Sequence, residues 1–159
     1  MKTELALPAL DPATLPARTT SIYPTEEQRQ RIRGRSKQAL GDALGLHNFG
    51  VNLVRLEPGA VSAFRHWHTR QDEFIYVLEG EIALVTNEGE QFLTSGQCAG
   101  FPGGQANGHQ LVNRGNRVAV YLEVGDRLPG DTAHYPEEDL QARATRGSYA
   151  FFRKDGMAY

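Results

Sequence analysis

From Phe49 to Val124 the chain reads as eight short apolar runs, each closed by a turn signal. They are GVNLVRL before EPG, SAFRHWH before TRQD, EFIYVL before EG, EIALVT before NEG, EQFL before TSG, CAGFP before GGQANG, HQLVN before RGN, and RVAVYLEV before GD. Such runs are too short for helices, and their regular spacing is the signature of an antiparallel sandwich or barrel. Asn87-Glu88-Gly89 and Arg114-Gly115-Asn116 have the composition of tight hairpin connections. Apolar residues alternate at Ile82 and Leu84, and at Val118, Val120 and Leu122, while other runs are apolar on both faces. The sequence therefore predicts an all-β fold.

The flanks differ in character. Residues 1–46 form a polar, proline-containing arm with a basic stretch from Arg29 to Lys37. Thr25 with Gln28 has the form of a capping box, but no apolar stripe follows it, so a short helix and an extended arm both remain open. Glu26 and Glu27 adjoin the basic stretch, which reads as a solvated face and not as a nucleic-acid contact. Residues 47–125 form the barrel of a single domain. Residues 126–159 form a tail with an aromatic group, Tyr149 to Phe152, expected to pack on the barrel or on a second subunit. A homodimer is the expected assembly. A net charge of −2 and a pI near 6.2 offer no attraction to nucleic acid or an anionic membrane. No apolar run approaches the roughly 20 residues of a membrane helix, and the first residues lack a signal-peptide core. A lone Cys98 can form no internal disulfide and is expected to be a small buried residue. A cytoplasmic location follows as the expectation.

The chemistry lies in Phe64-Arg-His66-Trp-His68-Thr-Arg-Gln-Asp-Glu73. Residues two apart on a strand share a face, so His66 and His68 project together with Phe64 behind them. The polar Thr69–Asp72 segment can turn the chain and return Glu73 beside the histidines on a neighbouring strand. Asp72 is an alternative carboxylate, but alternation puts it on the opposite face, so only one of the two can serve. His109 opens the run His109–Asn113 after a glycine-rich loop and supplies a further nitrogen. Imidazoles with a carboxylate suit a borderline divalent metal. The same parity predicts an apolar lining of Phe64, Ile75, Val77 and Leu111. His47 and His134 are isolated and read as structural or solvated. Gln71, Arg55 and Tyr76 could stand behind the site, but each fits a surface or packing role better.

These residues resemble the paired motifs of the cupin superfamily. His66, His68, Glu73 and Gly80 fall on the first motif, with Gly59 one residue early. Gly96, Pro102, Gly104, His109 and Asn113 fall on the second, with two extra residues before His109. The resemblance covers about residues 50–125 and extends to a group of small bacterial single-domain cupins of undefined activity. It implies a double-stranded β-helix, a jelly-roll barrel with an N-terminal arm and a C-terminal tail. It also implies one divalent metal ion per chain (Zn, Mn, Fe or Ni) held by His66, His68, Glu73 and His109. The expected partner is a small oxygen-bearing or anionic organic molecule. Two functional classes follow: a metal-dependent enzyme of dioxygenase, decarboxylase, isomerase or lyase type, and a non-catalytic module that binds or senses such a molecule.

Overall fold

The computed structural model describes residues 5–145 and 148–159. The arm resolves into a short helix and a strand. Helix α1 (Glu26–Arg31) starts at a complete capping box: Gln28 N donates to Thr25 Oγ1 at 3.2 Å, and Thr25 N donates to Gln28 Oε1 at 3.1 Å. Strand β1 (Arg35–Ala39) follows, then a four-residue helix, α2 (Leu40–Ala43). The basic stretch is partnered within the chain. Arg29 pairs with Glu26, Arg31 with Glu138, and Lys37 with Glu123.

The eight apolar runs form β2 (Phe49–Leu56), β3 (Trp67–His68), β4 (Glu73–Glu79), β5 (Glu81–Thr86), β6 (Gly89–Thr94), β7 (Cys98–Phe101), β8 (Gln110–Val112) and β9 (Ala119–Asp126). The tail contributes β10 (Thr132–Tyr135), β11 (Leu140–Thr145) and β12 (Ser148–Phe152). One sheet has the order β1-β2-β9-β4-β7. Facing it are β6-β5-β8 and β12-β11-β10-β3, linked by the bridges Val61↔Val112 and His66↔His109. All recorded strand pairings are antiparallel, and the layering is that of a jelly roll. The β4–β5 connection needs Gly80: its φ is +79°, and a Cβ there would lie 3.1 Å from Val118 O.

Two apolar clusters hold the layers together. Val54, Leu56, Ile75, Val77, Ile82, Leu84, Leu111 and Tyr121 pack inside the barrel. Tyr23, Ile32, Phe64, Tyr135, Leu140 and Ala142 form a second cluster, in which the N-terminal arm covers the β10–β11 side. The arm is thereby built into the fold. The barrel-facing set on β9 is Ala119, Tyr121 and Glu123, since Tyr121 opposes Val77 and Glu123 opposes Ile75. Val120 and Leu122 lie on the other face, and Val118 precedes the strand. Cys98 departs from the expected burial and is exposed. It sits on the edge strand β7 opposite the outward-facing Tyr76, where only one side of the sheet is covered. Among the described residues, no helix is long and apolar enough to cross a membrane.

Candidate metal centre

Three strand pairings bring the site together. His66 and His109 form an isolated antiparallel bridge, with His66 N donating to His109 O and His109 N donating to His66 O. His68 in β3 opposes Ala133 of β10. Glu73 opens β4 and is flanked by Phe101 of β7 and Gly125 of β9. The facing sheets therefore contribute the imidazoles from one side and the carboxylate from the other.

The four side chains converge on one atom. Glu73 Oε2 lies 2.9 Å from His109 Nε2 and 3.5 Å from the Nε2 atoms of both His66 and His68. His66, His68 and Glu73 alone form a compact group of possible metal ligands. Asp72 turns the other way, as alternation requires, and its Oδ1 accepts from Gly103 N at 2.8 Å.

Two of the histidines have their tautomers set by their surroundings. His66 Nδ1 lies 2.8 Å from the carbonyl oxygen of Phe64, which can only accept, so the proton is on Nδ1. His68 Nδ1 lies 2.6 Å from Asp131 Oδ2. Both Nε2 atoms are left as lone-pair donors aimed at the centre, the arrangement in which a histidine binds metal. His109 is held differently. Phe101 stacks on it with ring centroids 3.6 Å apart and planes 5° from parallel. His66 in turn stacks on Tyr135 at 5.5 Å.

The electrostatics favour a carboxylate at Glu73. Its burial alone would raise the pKa, but the closeness of His109 and His66 and the charges of His66 and His68 hold it well below the usual range. Burial lowers His109, helped by the neighbouring histidines against the pull of Glu73, and so favours the neutral imidazole. Burial also works against protonation of His68, but Asp131 and Glu73 outweigh it and raise the pKa.

The donor set fits a metal ion. Glu73 Oε2 and His109 Nδ1 are buried with no well-formed hydrogen bond among the described residues, although three imidazoles crowd the carboxylate. A cation among the Nε2 lone pairs and Oε2 would satisfy that carboxylate oxygen, and this mix of nitrogen and oxygen donors suits Zn, Mn, Fe or Ni.

The other sequence-derived residues take different places. Ile75, Val77 and Leu111 are buried in the barrel cluster behind the site. Phe64 packs on Tyr23, at 4.5 Å between centroids, in the second cluster. The small cleft of about 50 Å³ beside His68, Glu73 and His109 is walled by Trp67, Phe101, Pro102, Gln105 and Asn107. Tyr76 points out from the barrel, and Arg55 is exposed and donates to Gln38. Gln71 is buried and accepts from the Tyr149 hydroxyl at 3.0 Å. His134 stacks on Trp67.

Sequence reasoning missed Asp131. It is 1% exposed, and its Oδ1 also accepts from Thr69 Oγ1, Arg70 N and Gln71 N. It thus fixes both the His68 imidazole and the turn that returns the chain to Glu73. Spacing alone gave no signal for a residue 63 positions from its partner.

Comparison with known proteins identifies the fold and the family. The family model described as "Cupin domain" matches residues 52–125. The structure of a sugar phosphate isomerase from a cupin superfamily of Silicibacter pomeroyi DSS-3 is 47% identical, with a TM-score of 0.90 over 96% of each chain. A structure from Acidithiobacillus ferrooxidans ATCC 23270, described as a candidate sugar phosphate isomerase, is 29% identical, with a TM-score of 0.72 over 82% of this chain and 83% of that one. The germin-like protein subfamily 2 member 4 of Arabidopsis thaliana is 30% identical over 93 residues, 54% of this chain. The matched region spans only 42% of that curated relative.

Proposed function

The chain belongs to the cupin superfamily, and on that premise we propose that it is a metal-dependent isomerase of phosphorylated sugars. One divalent ion would be held by the Nε2 atoms of His66, His68 and His109 and by the carboxylate of Glu73. The observation that carries this reading is the convergence of three imidazole nitrogens within 3.5 Å of a buried Glu73 oxygen. The substrate class is supported by 47% identity over 96% of a chain described as a sugar phosphate isomerase.

An ion bound there supplies Lewis acidity towards a carbonyl or hydroxyl oxygen of the sugar. The chain's own groups provide orientation. The Phe64 carbonyl and Asp131 hold two imidazoles in one tautomer and one direction. Phe101 and Tyr135 pack against His109 and His66 and limit water around them.

The test is incubation of the metal-loaded chain with aldose phosphates in D2O, followed by NMR. Ketose formation with deuterium entering at the carbon next to the carbonyl supports the reading, provided it is lost in His66→Ala/His68→Ala. No interconversion across aldopentose and aldohexose phosphates by fully metal-loaded protein overturns the isomerase assignment.

A further inference from the structure

The sheet face that carries Glu73 continues into the barrel as a polar wall. Gly125 stands directly opposite Glu73, Glu123 opposes Ile75, and Asn52 opposes Glu123. By strand parity all of these positions face inward. Glu123 is therefore the diagonal cross-strand neighbour of Glu73, a relationship that places backbones roughly 7–8 Å apart. Gly125 puts no side chain beside Glu73, where a Cβ would lie 3.6 Å from Glu73 Cγ.

Lys37 reaches in from β1. Its Nζ lies 2.6 Å from Glu123 Oε1, and Asn52 Nδ2 donates to the same oxygen at 3.1 Å. Lys37 and Glu123 keep limited access to water, with side chains 18% and 24% exposed. Tyr149, from the opposite sheet, donates its hydroxyl to Gln71 Oε1 at 3.0 Å. Its burial, with the charges of Asp131, Glu73 and Glu123 adding to it, pushes its hydroxyl well above the usual range. Tyr121 lies two residues before Glu123 on the same face, and its buried hydroxyl has no hydrogen-bond partner among the described residues.

The chemistry of this wall is specific. A paired ammonium and carboxylate carry no net charge, so they do not select an anion. Glu123 Oε1 takes both internal bonds, which leaves Oε2 as an acceptor, and Lys37 keeps N–H groups to donate. Adjacent hydroxyl groups each need one acceptor and one donor, and a neighbouring carboxylate, ammonium and amide provide that alternation.

The geometry points to Lys37, Asn52 and Glu123 as the subsite that binds adjacent hydroxyl groups of the sugar. Held there, the carbon chain presents its carbonyl end to His66, His68, Glu73 and His109. The inference deepens the isomerase reading and rests on it for the nature of the ligand.

The test compares ribose 5-phosphate with 2-deoxyribose 5-phosphate, which lacks one hydroxyl of the vicinal set. Binding is measured by calorimetry on metal-loaded protein, with metal content determined on the same samples. Wild type should favour ribose 5-phosphate by roughly ten- to hundredfold, the range for a hydrogen bond to a charged group. In Glu123→Gln the preference should collapse to within a few-fold at unchanged metal content. The Lys37→Met/Glu123→Gln double variant removes both charges together, leaves no unpaired buried ion, and should behave in the same way. A preference that survives in either variant overturns the subsite, as does wild-type protein that is fully metal-loaded but binds both sugars equally or neither. Protein that takes up no metal defeats the isomerase reading instead, and the metal content separates the two failures.

Discussion

His68 and Asp131 are joined by a 2.6 Å contact between Nδ1 and Oδ2, and Asp131 is buried with three further donors on its other oxygen. The carboxylate therefore does two things: it fixes the imidazole so that Nε2 faces the centre, and it holds the turn leading to Glu73. Asp131→Asn keeps the shape but offers the amide a choice of donating to Nδ1, which stabilises the wrong tautomer. Loss of such a supporting group lowers metal affinity about 10- to 100-fold. A competitive chelator titration checks this, and unchanged affinity would show that His68 is oriented without Asp131.

The same residue sets an acid limit on the metal-free protein. Burial raises the Asp131 pKa, but the bond and charge of His68 and the backbone N–H groups of Arg70 and Gln71 outweigh it, and the carboxyl falls from 3.8 to about 2. A depressed folded pKa gives stability that is complete above pH 3.8 and is lost as the pH falls towards 2. The shift corresponds to about 2 kcal/mol. In chelator-treated protein, the stability difference between wild type and Asp131→Asn should shrink over that window. A difference that stays constant from pH 5 to pH 2 would remove Asp131 from the account.

The N-terminal arm reaches the site through one hydroxyl. Tyr23 Oη accepts from Phe64 N at 3.1 Å in the second cluster, and the Phe64 carbonyl holds His66. Tyr23→Phe leaves a buried N–H without its partner, at a cost of roughly 1–3 kcal/mol. Denaturant unfolding measures this. No change in midpoint would mean that the Phe64 N–H finds another acceptor.

The loop that delivers His109 depends on a glycine. A Cβ at Gly103 would lie 2.5 Å from the carbonyl carbon and oxygen of Arg70, which are backbone atoms that cannot swing away. Its N–H holds Asp72, and Gly104 N donates to His68 O at 2.8 Å, so the loop is pinned to the His68–Glu73 turn. Gly103→Ala should destabilise the fold by roughly 1–3 kcal/mol and weaken metal binding with it. Thermal melting with and without added metal tests both effects, and a variant that melts with wild type would show that the loop has room to move.

Much of this was readable in the sequence because local pattern and tertiary contact agreed. The eight apolar runs became strands since their turn residues and spacing left no competing helix. The convergence of His66, His68 and Glu73 followed from alternation and one short turn. What remained hidden depended on pairings distant in sequence. Asp131 meets His68 only because β10 lies beside β3. Glu123 was concealed by its own run, where Val118, Val120 and Leu122 make the more obvious apolar stripe, although Val120 and Leu122 occupy the outer face and Val118 precedes the strand. Phe64 shares parity with His66, yet the arm places Tyr23 against it and draws it into the second cluster. Cys98 could not be recognised as exposed until β7 was known to be an edge strand.

The central claim is that four side chains hold one ion, and metal content after reconstitution tests it most directly. Elemental analysis of purified wild-type chain, loaded and then desalted, should give one divalent ion per chain, and His66→Ala/His68→Ala should fall to background. An equal metal stoichiometry in the double variant would contradict the site.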